Sequence, residues 1–113
     1  MKDINWAEEL QAAITVSDRE GRILYMNGKS AATFAKQGGK SLEGSDLRDC
    51  HKPESWQKIM QILETGKANC YTIEKNGVKK MIWQAPWHKN GTVEGLVEFS
   101  IEIPFTMDHF IRT

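Results

Sequence analysis

Two Asn-Gly dipeptides, Asn76-Gly77 and Asn90-Gly91, constrain the fold of this chain more than any other feature. Each lies between runs rich in β-branched and aromatic residues. Asn-Gly in that setting is the strongest short-range signal for a two-residue hairpin turn, because both turn residues must take positive φ. Residues 68–103 therefore read as a three-stranded antiparallel meander. With two residues in each turn, Lys75 faces Val78 and Lys89 faces Thr92, which sets the register of all three strands. One face then collects Tyr71, Ile73, Val78, Ile82, Gln84, Val97, Phe99 and Ile101, with Lys80 as its charged member. The other collects Cys70, Thr72, Met81, Trp83, Ala85, Trp87, Leu96, Glu98, Ser100 and Glu102. Because Val97, Phe99, Ile101 and Ile103 alternate with Glu98, Ser100 and Glu102, the first face is the expected core.

Upstream, Asn5-Trp6-Ala7-Glu8 combines a capping Asn with a Glu three residues on, and Trp6, Leu10 and Ala13 follow at i, i+4 and i+7. That pattern predicts a short amphipathic helix over residues 5–12. Residues 13–17 and 22–27 are β-rich and joined by Asp18-Arg19-Glu20-Gly21, a turn sequence, so they predict a first hairpin. Residues 28–52 read as short helices and loops, broken by Gln37-Gly38-Gly39-Lys40. Pro53 suits the first helical position and Glu54 the positive end of the helix dipole. Trp56, Ile59, Met60 and Leu63 then recur at helical spacing until Gly66 stops the run.

At 113 residues and 12.9 kDa the chain makes one domain. Apolar residues at 40%, charged residues at 27% and a mean hydropathy of −0.51 fit a water-soluble globular protein. Fifteen basic and fifteen acidic side chains cancel, and no Lys/Arg cluster gathers the charge that phosphate binding needs, so nucleic acid is not an expected partner. No apolar run approaches the roughly 20 residues needed to span a bilayer, and the first residues lack a signal-peptide core. A cytoplasmic protein with no membrane partner is expected. In that compartment Cys50 and Cys70 are expected as free thiols.

These elements, in the order ββααααβββ, resemble a PAS domain over residues 10–103. Ile14–Asn27 is similar to the opening hairpin of that family, and Ala31, Ala32 and Phe34 match the helix that follows. Gly39–Leu47, the helix ending Leu63-Glu64-Thr65-Gly66, and the strand with Gly91 and Gly95 that ends Phe99–Ile103 complete the resemblance. Asp46–Ser55 is similar to the Cys-His-Pro element of a bacterial PAS branch often found beside signalling domains. The resemblance implies an α+β fold with a five-stranded antiparallel sheet in the order 2-1-5-4-3. Its strands are expected at residues 13–17, 22–27, 68–75, 78–88 and 93–103, with helices on one face. Residues 1–12 would form the N-terminal helix, 13–103 the PAS domain and 104–113 a C-terminal tail. Val97 and Phe99 would be central and buried. Pro104 interrupts the continuous helix that often carries a PAS signal onward.

Functionally, the resemblance implies a sensory or regulatory module of bacterial signal transduction, without catalytic activity, that binds a small ligand or a partner protein. The ligand pocket would be lined by Trp56, Ile59, Met60 and Leu63 on the helix and by Tyr71, Ile82, Gln84, Val97 and Phe99 on the sheet. A small apolar or aromatic ligand, or none, is expected there. Two alternatives stand beside this reading: a haem-binding sensor using His51, and a pure dimerisation or interaction module with a filled core. Lys52 before Pro53 is biased toward extended backbone, which leaves His51 outside the pocket-lining helix and favours a colourless protein. Flavin adduct chemistry is disfavoured because Leu47 stands where the reactive Cys would fall. Cys50-His51 lacks an orienting third group for nucleophilic catalysis. His51, His88 and His109 lack metal-site spacing, so no metal is expected. Asn27 reads as a backbone cap rather than a ligand contact.

The absence of any Walker loop, nucleophile elbow or kinase signature means that a signalling partner must supply the output. The strip formed by Met81, Trp83, Ala85 and Leu96 would leave a bare apolar patch, which predicts a homodimer with Trp6 and Leu10 covering part of it.

Overall fold

The computed structural model describes residues 4–49 and 52–113. Five strands form one antiparallel sheet: β1 (Ala13–Asp18), β2 (Ile23–Met26), β3 (Asn69–Lys75), β4 (Val78–Lys89) and β5 (Thr92–Ile103). Their order is β2-β1-β5-β4-β3. Between β2 and β3 run helix α1 (Gly28–Thr33), three short 3-10 turns at Ala35–Gln37, Gly39–Leu42 and Leu47–Asp49, and helix α2 (Pro53–Thr65).

Both Asn-Gly pairs take the positive φ that a type I′ turn demands: 53° and 78° at Asn76 and Gly77, 52° and 78° at Asn90 and Gly91. Lys75 pairs with Val78 and Lys89 with Thr92, as the turn chemistry requires. Helix α2 starts with Pro53 in its first turn and ends at Gly66 in the left-handed conformation. Ile59, Ile62 and Leu63 are its buried stripe; with Ile23, Met26, Leu47 and Leu96 they form the core, flanked by Phe34, Leu42, Trp56 and Val93. Burying each such side chain contributes about 1.5–3 kcal/mol.

The β4–β5 register departs from the expected one. His88 pairs with Val93 but Trp87 pairs with Gly95, so Glu94 is an extra residue on β5. A bulge of this kind shifts the pairing by one and exchanges the two faces of everything beyond it. Gln84 therefore pairs with Glu98 and Ile82 with Ser100, while Trp83 pairs with Phe99 and Ala85 with Val97. Leu96, expected in the outer apolar strip, is 3% exposed inside the core. Val97 and Phe99, expected in the core beside Ile82, lie on the opposite face and are half-buried. β5 does pair with β1 along Ala13–Asp18, so it is central as expected.

The expected N-terminal helix over residues 5–12 is replaced by a turn at residues 6–9. Its carbonyls are claimed from elsewhere: Ala7 O accepts from Asn27 Nδ2 and Leu10 N, and Glu8 O from Gly28 N. These long-range bonds hold the segment in a shape that a continuing helix could not take. Trp6 and Leu10 remain exposed, at 63% and 40%.

Asn27 is fully buried and uses its whole amide: Oδ1 accepts from Ile14 N and Ser30 N, and Nδ2 donates to Ala7 O and Ala12 O. It caps α1 and locks the start of β1 to that helix. The free side of β2 is also occupied, since Ile23 exchanges backbone bonds with Ser45 and Gly44, and Leu47 N donates to Gly21 O.

Candidate ligand cleft

The inner face of the sheet is only partly covered by helices. Where α2 crosses it, Ile59, Ile62 and Leu63 are buried in the core, and a small void of about 20 Å³ lies apart from α2 among Thr15, Met26, Phe34, Leu42, Leu47 and Glu98. Toward the β3–β4 turn the helices withdraw and a cleft of about 290 Å³ opens over β1, β5, β4 and β3. Ala13 and Thr15 line it from β1, Glu98 and Ser100 from β5, Lys80 and Ile82 from β4, and Tyr71, Ile73 and Lys75 from β3. Thr33 and Phe34 form the opposite wall. It continues into a recess of about 300 Å³ that adds Lys29, Asn76 and Glu102.

The floor is more polar than an ordinary core face. A row of side chains crosses three strands: Asn69 Nδ2 donates to Gln84 Oε1 at 3.0 Å, and Gln84 Nε2 donates to Glu98 Oε1 at 3.5 Å. Gln84 is 6% exposed, so this row is paid for by mutual hydrogen bonding rather than by water. Beside it, burial and the negative Glu98 carboxylate push the Tyr71 phenol above its ordinary pKa, which keeps it a neutral donor. Thr15 and Ser30 hydroxyls hydrogen-bond at 2.6 Å on the α1 side. Lys75 and Lys80 place positive charge on the same cleft as Glu98. The arrangement can hold a small molecule with an apolar body against Ile73, Ile82 and Phe34 and polar groups toward Glu98 and Ser100.

Of the residues expected to line a pocket, Tyr71 and Ile82 face this cleft. Tyr71 and Gln84 also line a neighbouring recess with Glu54, Ser55 and Lys58 of α2. Ile59 and Leu63 are core residues at 2% and 6% exposure, Met60 is exposed, and Trp56 packs at the rim of the core with the Arg48 guanidinium 5.1 Å from its ring. Val97 and Phe99 are on the other side of the sheet. Thr15, Phe34, Glu98 and Ser100 were not expected there. Gly95 was the available signal, because a glycine inside a strand marks a bulge or a close backbone approach. An alanine Cβ at Gly95 would lie 1.9 Å from Ser17 O.

His51 and Cys50, the candidate haem ligand and its neighbour, lie outside the described residues. Cys70 is a free, exposed thiol on β3. Among the described residues no three His, Cys, Asp or Glu side chains gather as metal ligands, and no helix is long and apolar enough to cross a membrane.

On the outer face, Trp83 and Phe99 meet edge to face with centroids 5.9 Å apart, and Trp83 is 37% exposed. Met81 and Ala85 belong to the same face, although Ala85 is buried.

The sequence profile of the PAS fold matches residues 7–68, more than half of the chain. No curated protein matches the sequence. Several solved structures share the fold. A sensory box sensor histidine kinase from Vibrio cholerae superposes with a TM-score of 0.62 at 15% identity, covering 86% of this chain and 86% of that one. A Vibrio cholerae receptor described as a dual PAS-heme oxygen sensor gives 0.62 at 15% identity, over 82% and 95%. VqmA bound to DPO gives 0.67 at 17% identity, over 88% of this chain but 56% of VqmA, so the chain spans little more than half of that protein.

Proposed function

The chain belongs to the PAS family, and from that premise we propose that it senses a small amphipathic molecule held in the inner cleft. PAS domains are sensory, non-catalytic modules, and the open question is what this one reads. The observation that carries the proposal is the open cleft of about 290 Å³ with the Glu98 carboxylate on its floor, at the end of the hydrogen-bonded row Asn69–Gln84–Glu98 that reaches it from the neighbouring recess. Cores seldom retain such a row without use, because aligned polar groups cost desolvation that apolar side chains would avoid. The proposed ligand carries hydrogen-bond donors for Glu98 and an apolar or aromatic body for Ile73, Ile82 and Phe34. VqmA, which shares this fold, has been solved with DPO bound, which supports a small-molecule ligand. Haem held by His51 remains the alternative cofactor reading, supported by the PAS-heme oxygen sensor that shares the fold.

Signal output would pass to a partner protein, with a bacterial cytoplasmic setting and a homodimer formed through the outer face around Trp83 and Phe99. Zero net charge supports a partner other than nucleic acid.

A second reading, an interaction module that binds no ligand, is favoured by the packing under α2, where Ile59, Ile62 and Leu63 are buried with Ile23, Met26, Leu47 and Leu96. Native mass and absorption spectra of freshly purified protein separate the readings. A retained small molecule that is lost in Glu98→Gln supports the proposal. A Soret band lost in His51→Ala supports haem instead. A bare mass with no ligand gained from cell extract supports the interaction module.

A further inference from the structure

Residues 104–113 pose a problem that the domain itself does not solve. Pro104 ends β5, and the segment beyond it holds four large apolar side chains in the open: Phe105 at 55%, Met107 at 59%, Phe110 at 66% and Ile111 at 85% exposure. Among the described residues, none of this segment makes a hydrogen bond or ion pair with another, and the Arg112 guanidinium lies over the Phe110 ring of the same segment at 5.4 Å. The radius of gyration, 15.1 Å, exceeds the about 13 Å expected for a compact chain of this length. These four apolar side chains are left largely uncovered by the described residues.

The same molecule leaves a second apolar surface open. On the outer face Met81, Trp83, Phe99 and Ile101 pair as Met81–Ile101 and Trp83–Phe99, with Trp83 exposed and the others half-buried. The two surfaces are continuous, because Ile103, the last strand residue, lies two positions beyond Ile101 on that face and pairs with Lys79.

We infer that the occupant of the outer face is a second copy of this chain, and that its residues 104–113 lie across Trp83 and Phe99. This rests on the homodimer reading above and adds to it the element that makes the contact. Ten extended residues reach at most about 33–36 Å, against roughly 19 Å across five strands, so one segment can cross the whole sheet. Two-fold symmetry repeats the exchange, so each segment leaves its own sheet and covers its partner's. Pro104 suits this path: it fixes φ and cannot donate to a ladder, so the chain leaves the β4–β5 pairing at that point.

The test uses the full chain. His109→Cys in a Cys50→Ser, Cys70→Ser background takes a nitroxide label, and this unlabelled-isotope protein is mixed with nitrogen-15 wild type. The inference predicts broadening of the Trp83 indole N–H signal in the wild-type partner. It also predicts self-association at least about a hundredfold weaker for Phe105→Ser/Phe110→Ser, because a two-fold dimer loses four aromatic side chains. Broadening confined to chains carrying label and isotope together would place the segment on its own sheet and overturn the inference. A dimer whose Trp83 signal stays sharp would overturn it while leaving the homodimer intact. A monomeric wild type at high concentration would remove both.

Discussion

Trp87 and Gly95 face each other one residue past the bulge on β5, and the Trp87 indole Nε1 donates to Ser17 O on β1 at 2.9 Å. This tryptophan ties β4 to the strand beyond its neighbour, over a residue with no side chain. Gly95 admits no Cβ, since it would meet Ser17 O at 1.9 Å. Gly95→Ala should therefore cost at least about 3 kcal/mol, by forcing β1 and β5 apart. Trp87→Phe, which keeps an aromatic ring but loses part of the indole and its donor, should cost about 1–2 kcal/mol. Urea unfolding of both variants checks the order; equal midpoints would contradict it.

That bulge also marks where the sequence stopped being legible. The two turns could be read because Asn-Gly supplies positive φ by its own chemistry, and α2 could be read because Pro53 and Gly66 bracket an apolar stripe. The strand order followed from family resemblance and holds. Glu94 could not be placed by alternation alone: one inserted residue sent Leu96 into the core and turned Glu98 and Ser100 toward the cleft. Val97 and Phe99 looked like core because their outer face is nearly as apolar as the inner one. The helix expected at residues 5–12 failed for another reason. Its capping pattern was sound locally, but Asn27 and Gly28 take the carbonyls of Ala7 and Glu8, and tertiary bonding outweighs propensity in so short a segment.

Asn27 gives a second prediction. All four hydrogen-bonding positions of its amide are filled at zero exposure, so no smaller or charged side chain can replace it. Asn27→Ala should cost at least about 4 kcal/mol, because several buried backbone groups lose their partner together. Asn27→Asp keeps the acceptor bonds to Ile14 and Ser30 but turns an oxygen toward the Ala7 and Ala12 carbonyls, and should be comparably unstable. Chemical denaturation reads both; a near wild-type Asn27→Asp would show that the donor half contributes little.

Acid should weaken the fold through the loop beside β2. Hydrogen bonds from the Arg48 guanidinium and backbone hold Asp46 down to about 2, and Lys40 with the Met26 amide lowers Glu43. Both carboxylates titrate below their unfolded values, so their contribution is present above the ordinary carboxylate range and is lost as pH falls through the folded values, for Asp46 toward about 2. Asp46→Asn should flatten the fall in urea midpoint over that interval. Because the Asp46–Arg48 pair is exposed, added salt should shrink the difference. An unchanged slope in the variant would assign the acid dependence elsewhere.

Trp83→Glu places a charge in the middle of the exposed outer strip without touching the core. Sedimentation equilibrium should show a dimer for the wild type and a monomer for the variant, with unchanged thermal unfolding of the separated domain. A variant that keeps the wild-type mass would move the interface away from this face.

The central claim is that the inner cleft takes a small ligand on its polar floor. Amide chemical-shift mapping of nitrogen-15 protein against a panel of small amphipathic compounds tests it most directly. The account predicts a binder that shifts the amides of Tyr71, Ile73, Ile82, Glu98 and Ser100 together, with the response lost in Glu98→Gln. Binders that perturb only Trp83, Phe99 and Ile101, or a panel that leaves the cleft amides unmoved, would contradict it.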